Sequence, residues 1–197
     1  MDILDMMSKR HSFYALNNKV SQTKEEITDI IKTLLKLYPS SFNTQSARLL
    51  VLYAKEHLKF WQMVESELLK TAPKEKADSI KQRIESFKQG FGTILYFDDC
   101  AIVRDLEKKM PLYAENFKIW SHESNAMLQY MIWTAFANNR IGASLQHYNP
   151  LINEIARKSY DIPQSWELVA QMPFGSIVET PLAHTFENID DKLIIKD

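Results

Sequence analysis

A chain of 197 residues, 45% hydrophobic and 25% charged, is sized for one domain with a real core of its own. Its 24 Lys and Arg against 25 Asp and Glu leave a formal net charge of −1, and no cluster of basic residues occurs, so nucleic acid is not an expected partner. A lone cysteine, Cys100, excludes an intrachain disulfide. Asp2 and Asp5 stand where a secretory leader would be positive, and no run approaches the roughly 18 apolar residues of a membrane span; a cytoplasmic protein with no membrane partner is expected.

Residues 2–9 read as a short helix leading into Arg10-His11-Ser12. Thr23 and Glu26 form a capping box, after which Ile27, Ile30, Ile31, Leu34, Leu35 and Tyr38 share one helical face until Pro39. Residues 40–43 form a loop, and the apolar run 47–54 suits a buried strand. Helices are expected over 56–70 and 73–89, a strand over 92–97, and a long helix from about Ala114 to Asn139. The second half of that helix carries Met127, Tyr130, Met131, Trp133, Phe136 and Ala137, apolar almost all round, and belongs in a core or an interface. A strand over 141–145, a helix over 150–159 and a strand over 166–172 follow. Leu193-Ile194-Ile195 predicts a last strand that docks on a partner subunit. Strands separated by helices, without linker or repeat, predict a single α+β domain over 1–197, a central mixed sheet flanked by helices.

Several chemistries lack their residues. The glycines, Gly90, Gly92, Gly142 and Gly175, do not cluster into a dinucleotide or phosphate loop. His122-Glu123 begins a zincin motif, but Ala126 stands where the second ligand belongs, so no metal is expected. No G-x-S-x-G elbow exists, and Cys100 beside Asp98 and Asp99 is poorly placed to form a thiolate. Flavin chemistry passes this filter, because the cofactor performs the reaction and the protein only holds and tunes it.

Five segments then carry a resemblance: Lys9 to Leu16, Pro39 to Ser46, Phe91 to Phe97, Met127 to Tyr130, and Ser144 to Pro150, the last echoed by Ala170 to Gly175. Together they resemble the nitroreductase family, in particular its fatty-acid-repression-type and copper-induced branch. The resemblance implies an α/β sandwich whose C-terminal strand extends to the partner, and a homodimer with FMN sites at the subunit interface. It implies NADH or NADPH as donor and a nitroaromatic, quinone or similar flat small molecule as acceptor, reduced in a ping-pong cycle on the flavin, with no catalytic side chain.

By the same resemblance Arg10 would pair with the FMN phosphate, with His11 and Ser12 at the phosphate and ribityl end. Ser40, Ser41, Asn43 and Gln45 would face a flavin held mainly by the other subunit. Leu145, Gln146 and His147 would lay their backbone against flavin N5 and O4. His184 falls where the branch usually has a phosphate-binding Lys, and Lys192 is the alternative. Phe42, Phe91, Tyr113, Phe117 and Trp120 are candidate cavity walls. Read without the family, Arg10 is a surface ion-pair residue, 40–45 ordinary turn chemistry, and Gln146 and His147 polar residues closing a strand. Two other functions stay open: a slow-turnover flavin redox sensor tied to lipid, metal or oxidative stress, and a flavin-free helical adaptor.

Overall fold

The structure, a computed structural model, describes residues 2–179 and 185–196. In chain order the elements are α1 (Ile3–Ser8), β1 (Leu16–Asn17), α2 (Lys24–Leu37), β2 (Ala47–Tyr53), α3 (Ala54–Thr71), α4 (Ala77–Lys88), β3 (Gly92–Asp99), α5 (Cys100–Lys109), α6 (Ala114–Asn138), β4 (Ile141–Ala143), α7 (Asn153–Ser159) and β5 (Trp166–Ile177).

Alternation along β3 sets the layers. Ile94 and Tyr96 point into a core shared with Ile27 and Ile31 of α2 and Leu128, Ile132 and Phe136 of α6. Leu95 and Phe97 point the other way, against Phe60, Trp61 and Val64 of α3 and Ile84 and Phe87 of α4. A strand buried on both faces reads as a continuous apolar run, as residues 92–97 do. The sheet order is β1-β5-β3-β2, with β4 also on β5, and every named ladder is antiparallel. The mixed character expected of the sheet resides, among the described residues, in one parallel bridge, Ser12 to Ala143. That bridge matters for the site.

Local chemistry accounts for most boundaries. Thr23 Oγ1 accepts from the Glu26 amide at 3.2 Å and the Glu26 carboxylate accepts from the Thr23 amide at 2.8 Å, the complete capping box at the start of α2. Thr23→Ala should cost about 1 kcal/mol in urea unfolding, with m unchanged. Two elements escaped the sequence reading. β1 is too short to show a period. α5 follows β3 without a loop, capped by Asp99, and buries only Val103, so no break in the chain marks where the strand ends and the helix begins.

β5 runs through Pro173, where the sequence suggested an end. Its odd-numbered amides face β4: the Gln171 amide donates to the Gln146 carbonyl, and Ser144 donates to the Pro173 carbonyl at 3.4 Å. Pro173 has no N–H to return to Ser144, so β4 loses a rung and ends at Ala143, short of the expected 145. The pairing with β3 is untouched, because Pro173 does not use its amide on that side.

The core beneath α3 and α4, the outer core as against the inner one beneath α2 and α6, holds one histidine. His57 is buried; its Nδ1 lies 2.8 Å from Thr93 Oγ1, and its Nε2 lies 3.3 Å from the Lys88 carbonyl. Trp61 Nε1 donates to the same hydroxyl at 2.8 Å, so a neutral ring that donates from Nε2 and accepts at Nδ1 satisfies the whole chain. Burial pulls the His57 pKa down from 6.5 to about 4. The unfolded chain therefore takes up a proton that the folded chain refuses. Stability is complete above pH 6.5 and falls by roughly 3 kcal/mol as pH drops towards 4. Denaturant titrations across that range should show the slope, and His57→Gln should flatten it.

Among the described residues no helix is long and apolar enough to cross a membrane. Within the single chain Leu193-Ile194-Ile195 forms no strand. A short 3-10 turn over Ile189–Lys192 leads to these three residues, which lie well exposed.

Candidate functional site

One junction gathers two of the three predicted segments. The chain leaves α1 through Arg10, and the Phe13 amide donates to the Ala143 carbonyl at 3.0 Å beside the Ser12–Ala143 bridge. Trp133 of α6 fastens both strands, its indole N–H shared between the His11 carbonyl at 3.2 Å and the Ala143 carbonyl at 3.1 Å. The Arg10 guanidinium lies 4.5 Å from the Trp133 ring centroid, a cation over an aromatic face. Among the described residues no carboxylate pairs with it. Among the described residues it is the Trp133 ring, not an ion pair, that Arg10 rests on. After Phe13 the chain crosses Gly142, where an added Cβ would stand 2.8 Å from Ile177 Cγ1, 3.0 Å from Leu16 Cδ2 and 3.1 Å from Phe13 Cβ, so a larger residue would have to push these side chains aside.

Beyond Ala143 the chain continues through Ser144 to His147, of which only His147 is exposed. Amides alternate in direction along an extended segment. Those of Ser144 and Gln146 turn towards β5, and the Gln146 amide is tied to the Gln171 carbonyl at 2.7 Å. Leu145 and His147 turn theirs to the opposite edge, the one that carries Ser12. The Leu145 side chain packs on the inner core, so its contribution to this edge is main chain. Gln146 forms an isolated antiparallel bridge to Gln171 beyond the end of β4, and its side chain reaches Ser144 Oγ at 3.1 Å.

The third segment lies elsewhere. Ala47 pairs with Asp98, and Asp98 with Glu167, so loop 40–45 sits at one end of the sheet, whereas Ala143 pairs with Phe174 near the other. The span of β5 between them is roughly 20 Å at the rise of a strand. The loop is strongly shaped. Ser40 Oγ accepts from the Gln45 amide at 3.0 Å, and Phe42, Asn43 and Gln45 have φ of 53°, 53° and 48°. Each such residue costs on the order of 1 kcal/mol or more. The feet that hold it are an Arg48 guanidinium donating to the Gln45 carbonyl at 2.8 Å and the Asp99 amide donating to Ser46 at 2.9 Å.

This strain carries an aromatic side chain outward. Phe42 is 55% exposed, yet its ring lies 5.6 Å from Tyr113, 5.7 Å from Phe117 and 5.8 Å from Trp120. Four of the five candidate wall aromatics therefore meet in one cluster. Phe91 does not join them; it packs with Tyr53 and Phe174.

His184 lies outside the described residues. Lys192 is paired with Glu187 at 2.6 Å. Cys100 is no nucleophile: burial and the Glu167 carboxylate, 3.4 Å from Sγ, push its thiol up to about 11. The sequence had blamed Asp98 and Asp99; the neighbour that matters most is brought by β5. Asp98 itself is buried, accepts from Asn125 at 2.8 Å, and has its pKa raised chiefly by burial. No group of three or more metal-binding side chains occurs among the described residues. The sequence reading missed Trp133 as a site residue, because its place in an apolar helix reads as core; only its indole N–H, useless in a purely apolar setting, hinted otherwise.

Comparison with known proteins adds the following. The sequence profile of the nitroreductase family matches residues 7–176. The nitroreductase CinD of Lactococcus lactis, solved in complex with chloramphenicol, is 36% identical, covers all of both chains and superposes with a TM-score of 0.91; it has also been solved with 4-nitrophenol and with nicotinic acid. The Saccharomyces cerevisiae protein HBN1 is 28% identical over 93% of this chain and 92% of its own. A nitroreductase with bound FMN from Desulfitobacterium hafniense shares the fold at a TM-score of 0.72 and 17% identity, covering 98% of this chain and 97% of its own.

Proposed function

This chain belongs to the nitroreductase family and is an oxidoreductase of that type, and from that premise we propose that it is an FMN-dependent NAD(P)H oxidoreductase acting on nitroaromatics, quinones or similar flat acceptors. The observation that carries the reading is the Ser12–Ala143 bridge. It sets the Arg10 guanidinium, which pairs with no carboxylate among the described residues, and the Leu145 and His147 amides on one edge. That donor set fits FMN: a cation for the phosphate at one end and N–H donors for the polar edge of a flavin ring at the other. When bound, the flavin would supply hydride exchange between the nicotinamide and the acceptor.

The chain's own residues would divide the work. Arg10 would neutralise the phosphate, with His11 and Ser12 beside it and His184 or Lys192 as a further cation. The Leu145 and His147 amides would donate to the ring edge, where developing negative charge is stabilised by fixed dipoles. Gln146, its N–H committed to β5, would hold that edge rather than donate from it.

Ser40, Ser41, Asn43 and Gln45 lie too far along the sheet to serve the same site, so a homodimer completes the proposal, each loop serving a second copy's flavin. Its supports are the exposed Ile3, Leu4 and Met7 of α1, the exposed Met127 and Tyr130 of α6, and β2, an edge strand of the sheet. The exposed Leu193-Ile194-Ile195 is the segment suited to extend a partner's sheet. An obligate interface would bury about 2,000 Å² or more. The ligands solved on CinD, two nitroaromatics and a pyridine carboxylate, support a cavity that takes flat rings, with Phe42, Tyr113, Phe117 and Trp120 as its outer wall.

The visible spectrum of the purified protein, recorded before and after anaerobic addition of NADH or NADPH, tests this. Flavin bands should be present and should bleach, the faster reductant identifying the donor. A bound flavin that stays oxidised would favour a redox sensor. No flavin after incubation with excess FMN would overturn the proposal.

A further inference from the structure

β5 carries a buried amide with no obvious reason to be there. Leu168, Ala170, Met172 and Phe174 are buried and apolar, and Gln171 among them is 0% exposed. Burying an amide is unfavourable unless its hydrogen bonds are met, and a methionine of the same length would fill the space without that penalty. What Gln171 does that an apolar residue could not is visible in its partners.

Its backbone exchanges two hydrogen bonds with Gln146, at 2.7 and 2.9 Å. Its side-chain Oε1 then accepts from the Tyr148 amide at 2.8 Å, and its Nε2 lies 3.5 Å from Asn149 Oδ1. In a continued ladder Tyr148 would pair with β5 two residues before Gln171. The chain instead turns away at 149–150, and the Gln171 side chain supplies the missing rung.

The consequence falls on the residue between. With the amides of Gln146 and Tyr148 both fastened to position 171, the His147 peptide has to face the opposite edge, and Leu145 is fixed with it. We propose that Gln171 is the positioning residue for the flavin-facing edge, holding the Leu145 and His147 amides in the orientation that favours reduced over oxidised FMN. This rests on the flavin reading above and adds a residue to it. Gln171 touches neither cofactor nor substrate in this scheme.

Gln171→Met keeps length and apolar packing and removes the rung together with the long Nε2–Asn149 contact. Two measurements on the FMN-loaded protein separate a positioning role from a structural one. Amide hydrogen exchange should speed up at residues 145–148 and stay unchanged in the β3–β5 ladder. The preference for reduced over oxidised FMN should fall about tenfold, which lowers the midpoint potential by about 30 mV for a two-electron couple. An unchanged potential, with or without faster exchange, would overturn the proposal. So would exchange that rises everywhere equally. Should the variant not fold, the parent protein still decides. Labelled with nitrogen-15, its Tyr148 amide resonance is expected to shift on flavin reduction, and a resonance that stays put argues against the role. A parent protein that binds no FMN would remove the flavin reading itself, and this inference with it. A flavin-loaded protein with an unmoved potential removes this inference alone.

Discussion

Arg10→Glu is expected to lose FMN affinity by roughly two to three orders of magnitude. A charge-assisted contact to a phosphate contributes about 1.5–3 kcal/mol, and reversing the charge adds repulsion on the order of another 1 kcal/mol, each 1.4 kcal/mol being tenfold. The guanidinium rests on the Trp133 ring, and among the described residues no carboxylate pairs with it, which leaves its charge for an anionic ligand. Arg10→Lys keeps the charge but not the planar fork, and a loss nearer tenfold should follow. Fluorescence titration of FMN into flavin-free protein gives both numbers, with thermal melts to confirm the fold. If Arg10→Glu bound FMN like the parent, the phosphate would have to sit elsewhere, and the edge described above would lose its anchor.

Trp61→Ala should be the most damaging single substitution in the outer core. The side chain is fully buried, 5.1 Å from Phe60, 4.8 Å from Phe87 and 5.9 Å from Tyr148 between ring centroids, and its N–H is the donor to Thr93. Emptying that volume costs about 3–5 kcal/mol, against a total of about 5–15 kcal/mol for a typical domain. Trp61→Phe keeps most of the packing and gives up the hydrogen bond, for about 1–2 kcal/mol. At about 2–4 °C per kcal/mol for a chain of this size, calorimetry should resolve the two variants easily. A drop in Tm for Trp61→Ala no larger than that for Trp61→Phe would mean that the cavity collapses, and that packing here is softer than the ring contacts suggest. The Tyr148 contact links this core to function. Tyr148 rests on Trp61 through its ring and on Gln171 through its amide, so loosening the core should also weaken flavin binding.

Much of this was legible in the residues alone, because the signals were local. The capping box and apolar face of α2 and the apolar run of β3 each follow from periodicity or from one hydrogen-bonded turn. The resemblance to the nitroreductases rested on short segments in the right order, and the fold and family follow from it. β1, too short to show a period, and α5, which no loop separates from β3, could not be read. Nor could the effect of Pro173 on β4, since which neighbour a missing N–H offends depends on which strand lies on that side.

Three things only the tertiary structure decided. That Arg10 shares an edge with Leu145 and His147 depends on a parallel bridge between residues far apart in sequence, fastened by an indole from a third element. That loop 40–45 lies at the opposite end of the sheet is a matter of strand register, and it turns a list of site residues into an argument for two copies. That Gln171 directs its neighbours' amides follows from a side chain replacing a backbone rung. Sequence determined which groups the chain possesses and how each segment coils. Long-range pairing, which shifts whole edges by one residue or one strand, determined where those groups meet.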